Sequence, residues 1–186
     1  MTILGIDPGL NATGYGVIAT ERQSLRLVAA GTVRPRGRQP LAGRLQELYE
    51  GLTQIIETTR PSLTVLESLF IHHQFLTTAA LMAHARSVAL LVSAQHALRV
   101  VEYLPTRVKK ALTGHGAATK DQVARAVGGW LGIDAAACSH DATDALALAI
   151  THAHVDRVGA RLTQHDGIRT QRKTGRRDAA WREAIA

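Results

Sequence analysis

Cysteine is almost missing from this sequence. Cys138 is the only one, so no disulfide can form within the chain. That argues against a small secreted scaffold held by disulfides and fits a reducing compartment. Long apolar runs are missing too. No stretch reaches the roughly 18 residues of a membrane span, and the N-terminus has no charged segment leading into a secretory apolar run. A protein without membrane association, located in the cytoplasm, is the expectation. Aromatics are scarce, at 4% of residues with only two Phe. Acidic residues are outnumbered: 15 Asp and Glu face 22 Lys and Arg, and the formal net charge of +7 suits a polyanionic partner. The excess is uneven. Residues 157–186 hold eight Arg or Lys against Asp166, Asp178 and Glu183, a net +5, which leaves +2 for residues 1–156. What is abundant is apolar surface, 46% of 186 residues, enough for one domain with its own core. The expected organisation is a domain over 1–156 and a basic, flexible tail over 157–186.

Apolar periodicity sets out the domain. Thr2 to Ile6 reads as a buried strand that stops at Asp7, with Pro8-Gly9 ending it. Tyr15, Val17 and Ala19 alternate as a second strand, and Leu25 to Val33 gives a third. Short links between them favour antiparallel neighbours. Leu41 to Ile56 has helical spacing and Pro61 closes it; Leu63 to Leu66 is a strand ending at Glu67. A second helical stripe runs from Leu76 to Ala94. Val100 to Leu104 is a fifth strand, and helices follow at Pro105–Ala111, Lys120–Trp130 and Asp141–Val155. A meander followed by crossover units implies an α/β fold: a mixed five-stranded sheet with helices on both faces. Ligands of such sheets sit beyond the carboxyl ends of the parallel strands, where Asp7 and Glu67 stand.

Asp141 and Asp144 are three apart and share one helix face, and Leu148 continues that stripe inward. Each carboxylate has a plain alternative. An Asp at a helix start can be a cap, Asp7-Pro8-Gly9 can be a turn, and Glu67 can be a partly exposed residue after a strand. Together they say more, because two apolar strands end, and one apolar helix begins, on carboxylates. Crowded carboxylates resist ionisation, and a cation removes that penalty. Magnesium takes such oxygen ligands, and a two-metal site needs several of them in one small pocket.

These residues resemble a known family. Gly5-Ile6-Asp7-Pro8-Gly9 with Thr13-Gly14-Tyr15-Gly16, then Leu66-Glu67-Ser68-Leu69-Phe70, then Asp141-Ala142-Thr143-Asp144-Ala145-Leu146-Ala147 with Ala149-Ile150-Thr151-His152, are similar to the three acidic motifs of RuvC, the bacterial Holliday-junction resolvases. The resemblance runs from about Thr2 to His154. It implies a ribonuclease H-like fold, a homodimer, and a nuclease using magnesium or manganese, two ions per site, held by Asp7, Glu67, Asp141 and Asp144. His140, four residues before Asp144, is the alternative to Asp141 as fourth ligand. The resemblance also implies that Lys109 and Lys120 handle phosphate near the reacting bond, with Lys110 as the uncertain neighbour of Lys109. It makes Phe70 an aromatic wedge that opens the junction centre, and it implies a branch-migration motor of the RuvA–RuvB type as partner.

The expected reaction is in-line attack of metal-activated water with loss of a 3′-hydroxyl, and paired symmetric nicks by a two-fold dimer. The Arg34-Pro35-Arg36-Gly37-Arg38 loop and the tail arginines are candidates for phosphate contacts, or for solvated charge. The small turn Thr113 to Gly116 is a place where DNA can approach. The alternatives are an RNA-processing nuclease of the same fold, an actin-like ATPase, for which the chain is too short, and a non-catalytic junction binder, which has no need of four carboxylates.

Overall fold

A computed structural model describes residues 1–21, 24–68 and 76–165. Strands β1 (Thr2–Asp7), β2 (Thr13–Glu21), β3 (Ser24–Val33), β4 (Leu63–Glu67) and β5 (Arg99–Tyr103) make one sheet in the order β3-β2-β1-β4-β5. β1 and β3 pair antiparallel with β2, while β1–β4 and β4–β5 are parallel. The mixed sheet expected from a meander followed by crossovers is the one observed. Helices α1 (Leu41–Thr59), α2 (Leu76–Gln95), α3 (Pro105–Thr113), α4 (Lys120–Leu131) and α5 (His140–His165) cover it, with a short 3-10 turn at Ala135–Ala137 before α5. The chain divides into two units, Met1–Asp156 and Arg157–Ala186, and the sheet belongs to the first.

Alternation along each strand decides which helical layer a side chain meets. Leu4, Ile6 and Leu66 pack with α1 and α2 through Leu48, Leu52, Ala89 and Val92. Ile3, Ile18, Leu63 and Val65 pack on the opposite face with Val108, Val123, Leu146 and Ile150 of α3, α4 and α5. Asp7 shares the parity of Ile3, and Glu67 that of Val65, so both acids point towards the α5 layer.

Three glycines on that face explain how α5 lies so near. A Cβ on Gly5 would stand 2.0 Å from the Ala145 carbonyl oxygen, and one on Gly14 would stand 1.9 Å from that of Asp141. One on Gly16 would meet Leu146 at 2.7 Å. The glycines are needed for space. They let the backbone of α5 rest directly on β1 and β2, and the side chain of Leu146 beside them is fully buried.

The start and end of α5 differ from the sequence expectation. The Ser139 hydroxyl accepts a hydrogen bond from the Ala142 amide at 3.2 Å and so caps the helix, which begins at His140. Neither Asp141 nor Asp144 is the cap, so the alternative reading of these two acids as capping groups is set aside. The helix also runs on to His165 rather than stopping at Val155. Good helix formers such as Ala160, Arg161 and Leu162 carry it forward without an apolar period.

Candidate active site

Parallel pairing puts Ile6 opposite Leu66, so Asp7 and Glu67 end neighbouring strands side by side. Antiparallel pairing puts Asp7 opposite Gly14, and Gly14 lies directly under Asp141. The glycine row thereby delivers the first turn of α5 to the end of β1. Asp7, Glu67 and Asp144, with Lys109 and Lys120, line a cavity of about 380 Å³. Its walls include the apolar side chains of Val108, Val123, Ala147 and Leu148. Apolar walls weaken solvent screening and strengthen each charge interaction inside.

The acids feel one another. Burial pushes the Asp7 carboxyl from the usual 3.8 up to about 7, reinforced by the negative charges of Asp144, Glu67 and Asp141 and opposed by Lys120. Glu67 is also raised, first by burial and then by Asp144, with Lys120 and Lys109 pulling the other way. The lysines are therefore placed against the acids rather than scattered on the surface. Lys120 shows this best. Thr119 and Gln122 form a capping box that starts α4, leaving Lys120 at the first helical position. A cation is poorly placed against the dipole there. Asp144 compensates, with its Oδ2 3.3 Å from Lys120 Nζ, and raises the lysine's affinity for its proton. Lys110, in contrast, is exposed on another face of α3 and does not line the cavity.

Asp141 acts from the rim. Its carboxylate lies 3.7 Å from the Arg34 guanidinium. His140 is exposed and lines a separate cleft with Asp121, Arg125 and Cys138. Phe70 lies outside the described residues. Of the basic loop, Arg34 faces the site, while Arg36 is tied to Glu47 by side-chain and backbone hydrogen bonds.

The donor set is all oxygen, which fits a hard divalent cation, and a buried carboxyl burdened by three like charges is the kind a cation relieves. The side chains do not stand in a closed coordination shell. Among the described residues no three Asp, Glu, His or Cys side chains converge on one point, and Lys120 and Arg34 are paired with Asp144 and Asp141.

Two arginines at this site were not singled out in the sequence. In the sequence Arg34 is only one charge of a basic loop. Arg86 of α2 donates to the Glu67 carbonyl and pairs with Glu102 at 2.6 Å. A signal for Arg86 existed, since it is the single fixed charge in the helix, and such a charge needs a partner when it is buried.

Compared with known proteins, residues 3–152 match the family described as crossover junction endodeoxyribonuclease RuvC. This chain belongs to the RuvC family. RuvC of Chromohalobacter salexigens is 40% identical over 181 residues, covering 97% of this chain and 93% of that protein. RuvC of Rhodopirellula baltica is 43% identical over 148 residues, covering 80% and 83%. The solved structure of T. thermophilus RuvC in complex with a Holliday junction substrate superposes with a TM-score of 0.80 at 32% identity, covering 86% of this chain and 96% of that one. That likeness makes the sheet and its helices a ribonuclease H-like fold, as expected. The RNA-processing alternative gains no support from these relatives. Among the described residues no helix is long and apolar enough to cross a membrane.

Proposed function

We propose that this RuvC chain resolves four-way DNA junctions by divalent-metal-dependent hydrolysis of phosphodiester bonds. The observation that carries the reading is Asp7, a carboxyl at the end of a central strand, raised to about 7 by burial and three neighbouring acids. Grouped acids with perturbed proton affinity in a cleft mark a functional site. Asp7, Glu67, Asp141 and Asp144 would hold magnesium or manganese, and two ions suit a set of this size. Asp141 is preferred over His140 as the fourth ligand, because its charge acts on Asp7 while His140 lines another cleft. When bound, such cations supply positive charge for activating water and for stabilising the leaving oxygen.

The chain's own residues do the rest. Asp7 takes the central position because it is buried between the other three acids. Lys120 holds Asp144 and, with Lys109, brings positive charge to the place where a phosphate would gain negative charge. Val108, Val123 and Leu148 keep that wall dry. Lys110 is assigned to phosphate outside the cavity, and Phe70, three residues beyond Glu67, to stacking at the opened junction.

The proposal extends to a homodimer, supported by the outward face of α2. Leu81 and Leu91 are exposed there beside Ala80, His84, Ser87 and Ala94. Partnership with a branch-migration motor is proposed on family resemblance. The basic stretch 157–186 is proposed as a separate tail that adds salt-dependent affinity for DNA.

Asp144→Asn tests the site. With magnesium, cleavage of a synthetic four-way junction is expected to fall by about 100-fold, in the range for losing one group that stabilises transition-state charge. Junction binding is expected to persist. Undiminished cleavage by the variant would remove Asp144 from the machinery.

A further inference from the structure

Arg86 stands on α2 one turn after Met82, which lines the cavity, and it reaches the end of the strand that carries Glu67. Its side chain is only 12% exposed. A guanidinium buried to that degree persists where its donors are matched. One terminal nitrogen donates to the backbone carbonyl of Glu67, and the other lies 2.6 Å from Oε1 of Glu102 on β5. On the other side of the same strand end, the Ser68 amide donates to the Tyr103 carbonyl at 2.8 Å. Glu67 is the last residue of β4, and it lines the cavity while Arg86 holds its carbonyl.

We propose that Arg86 is a positioning residue for cleavage. By clamping the Glu67 carbonyl it sets the direction in which the Glu67 carboxylate enters the site, and Glu102 keeps the guanidinium aimed. The inference rests on the reading of Glu67 as a metal ligand. The clamp acts where the β4–β5 ladder ends, at the pairing of Glu67 with Tyr103. Displacing a reacting or ligating group by about 1 Å is enough to cost on the order of 100-fold in rate. A lysine is a poor substitute, since it has one point charge where the fork of arginine serves two acceptors.

The test uses the full chain with Arg86→Met, Arg86→Lys, Glu102→Gln and Glu67→Gln. Three quantities are measured: manganese binding to the free protein by calorimetry, single-turnover junction cleavage across a magnesium titration, and junction binding in EDTA. Arg86→Met is expected to weaken manganese binding and slow cleavage, each by roughly 10–100-fold, the usual effect of losing a partner that orients a ligand. Junction binding in EDTA is expected to stay at the parental level. Arg86→Lys and Glu102→Gln are expected to change in the same direction by less. Should Arg86→Met fail to fold, Arg86→Lys decides. Parental manganese affinity and cleavage in a folded Arg86 variant, even one with a lowered melting temperature, overturn the clamp. If Glu67→Gln itself binds manganese and cleaves like the parent, the role of Glu67 falls, and the clamp with it.

Discussion

Asp7→Asn is expected to reduce junction cleavage by about 1,000-fold, the upper end for losing one group that stabilises transition-state charge, and at the same time to stabilise the metal-free protein. The two effects share a cause. In the fold the Asp7 carboxyl gives up its proton at about 7, against 3.8 as the ordinary value. The folded state therefore holds this proton more tightly than the unfolded chain does. Its contribution to stability is fully present below about pH 4 and is lost as the pH rises through 7. The loss amounts to roughly 4 kcal/mol at most, at 1.36 kcal/mol per pH unit. Asparagine has the same shape and no charge, so it removes this dependence. Urea unfolding in EDTA at pH 5 and pH 8, beside cleavage in magnesium, checks both halves. The variant should be the more stable protein at pH 8, and by a clearly smaller margin at pH 5, where most of the loss has yet to occur. An Asp7→Asn protein that cuts junctions within tenfold of the parent, or is the less stable of the two at pH 8, contradicts the reading of Asp7.

The second large effect belongs to a residue with no side chain. Gly14→Ala would place a methyl group 1.9 Å from the carbonyl oxygen of Asp141, 2.3 Å from its carbonyl carbon and 2.9 Å from its Cβ. Two of the three are backbone atoms of a helix, which cannot swing aside as a flexible side chain would. Either α5 lifts from β2 or the pairing of Asp7 with Gly14 distorts. Overpacking of this kind costs about 1–3 kcal/mol and occasionally more, and a helix backbone in the way puts the upper figure in play. The same movement carries Asp141 and Asp144 away from Asp7. A shift of about 1 Å there is expected to lower cleavage by on the order of 100-fold. Thermal melting and single-turnover cleavage of Gly14→Ala report the two losses separately. A variant with parental melting and parental rate would show that α5 does not rest on Gly14.

The strands and helices were legible because their signals are local. Thr2–Asp7 and Leu63–Glu67 are short apolar runs ending on an acid, and their parallel neighbourhood follows from the crossover through α1. The grouping of Asp7, Glu67 and Asp144 was legible because two strands end, and one helix begins, on carboxylates, and because the three motifs resemble those of RuvC. Contacts between distant residues were not. Gly5, Gly14 and Gly16 were visible as a motif, but their purpose depends on residues 141 to 146. The pairings of Arg34 with Asp141 and of Arg86 with Glu67 join segments that only the folded chain brings together. The capping role of Ser139 was local and readable, since a serine three residues before the Ala142 amide is a common helix start. The last turns of α5 are not legible from the apolar period, because helix propensity continues after that period stops.

One measurement bears on the central claim most directly. A four-way junction labelled on each strand in turn is incubated with the purified chain in magnesium, in manganese and in EDTA, and the products are mapped to the nucleotide. Paired nicks at symmetric positions in two strands, giving two duplexes with 3′-hydroxyl ends, are expected with either metal and none in EDTA. Undiminished cutting in EDTA, or an intact junction in both metals, would contradict the account.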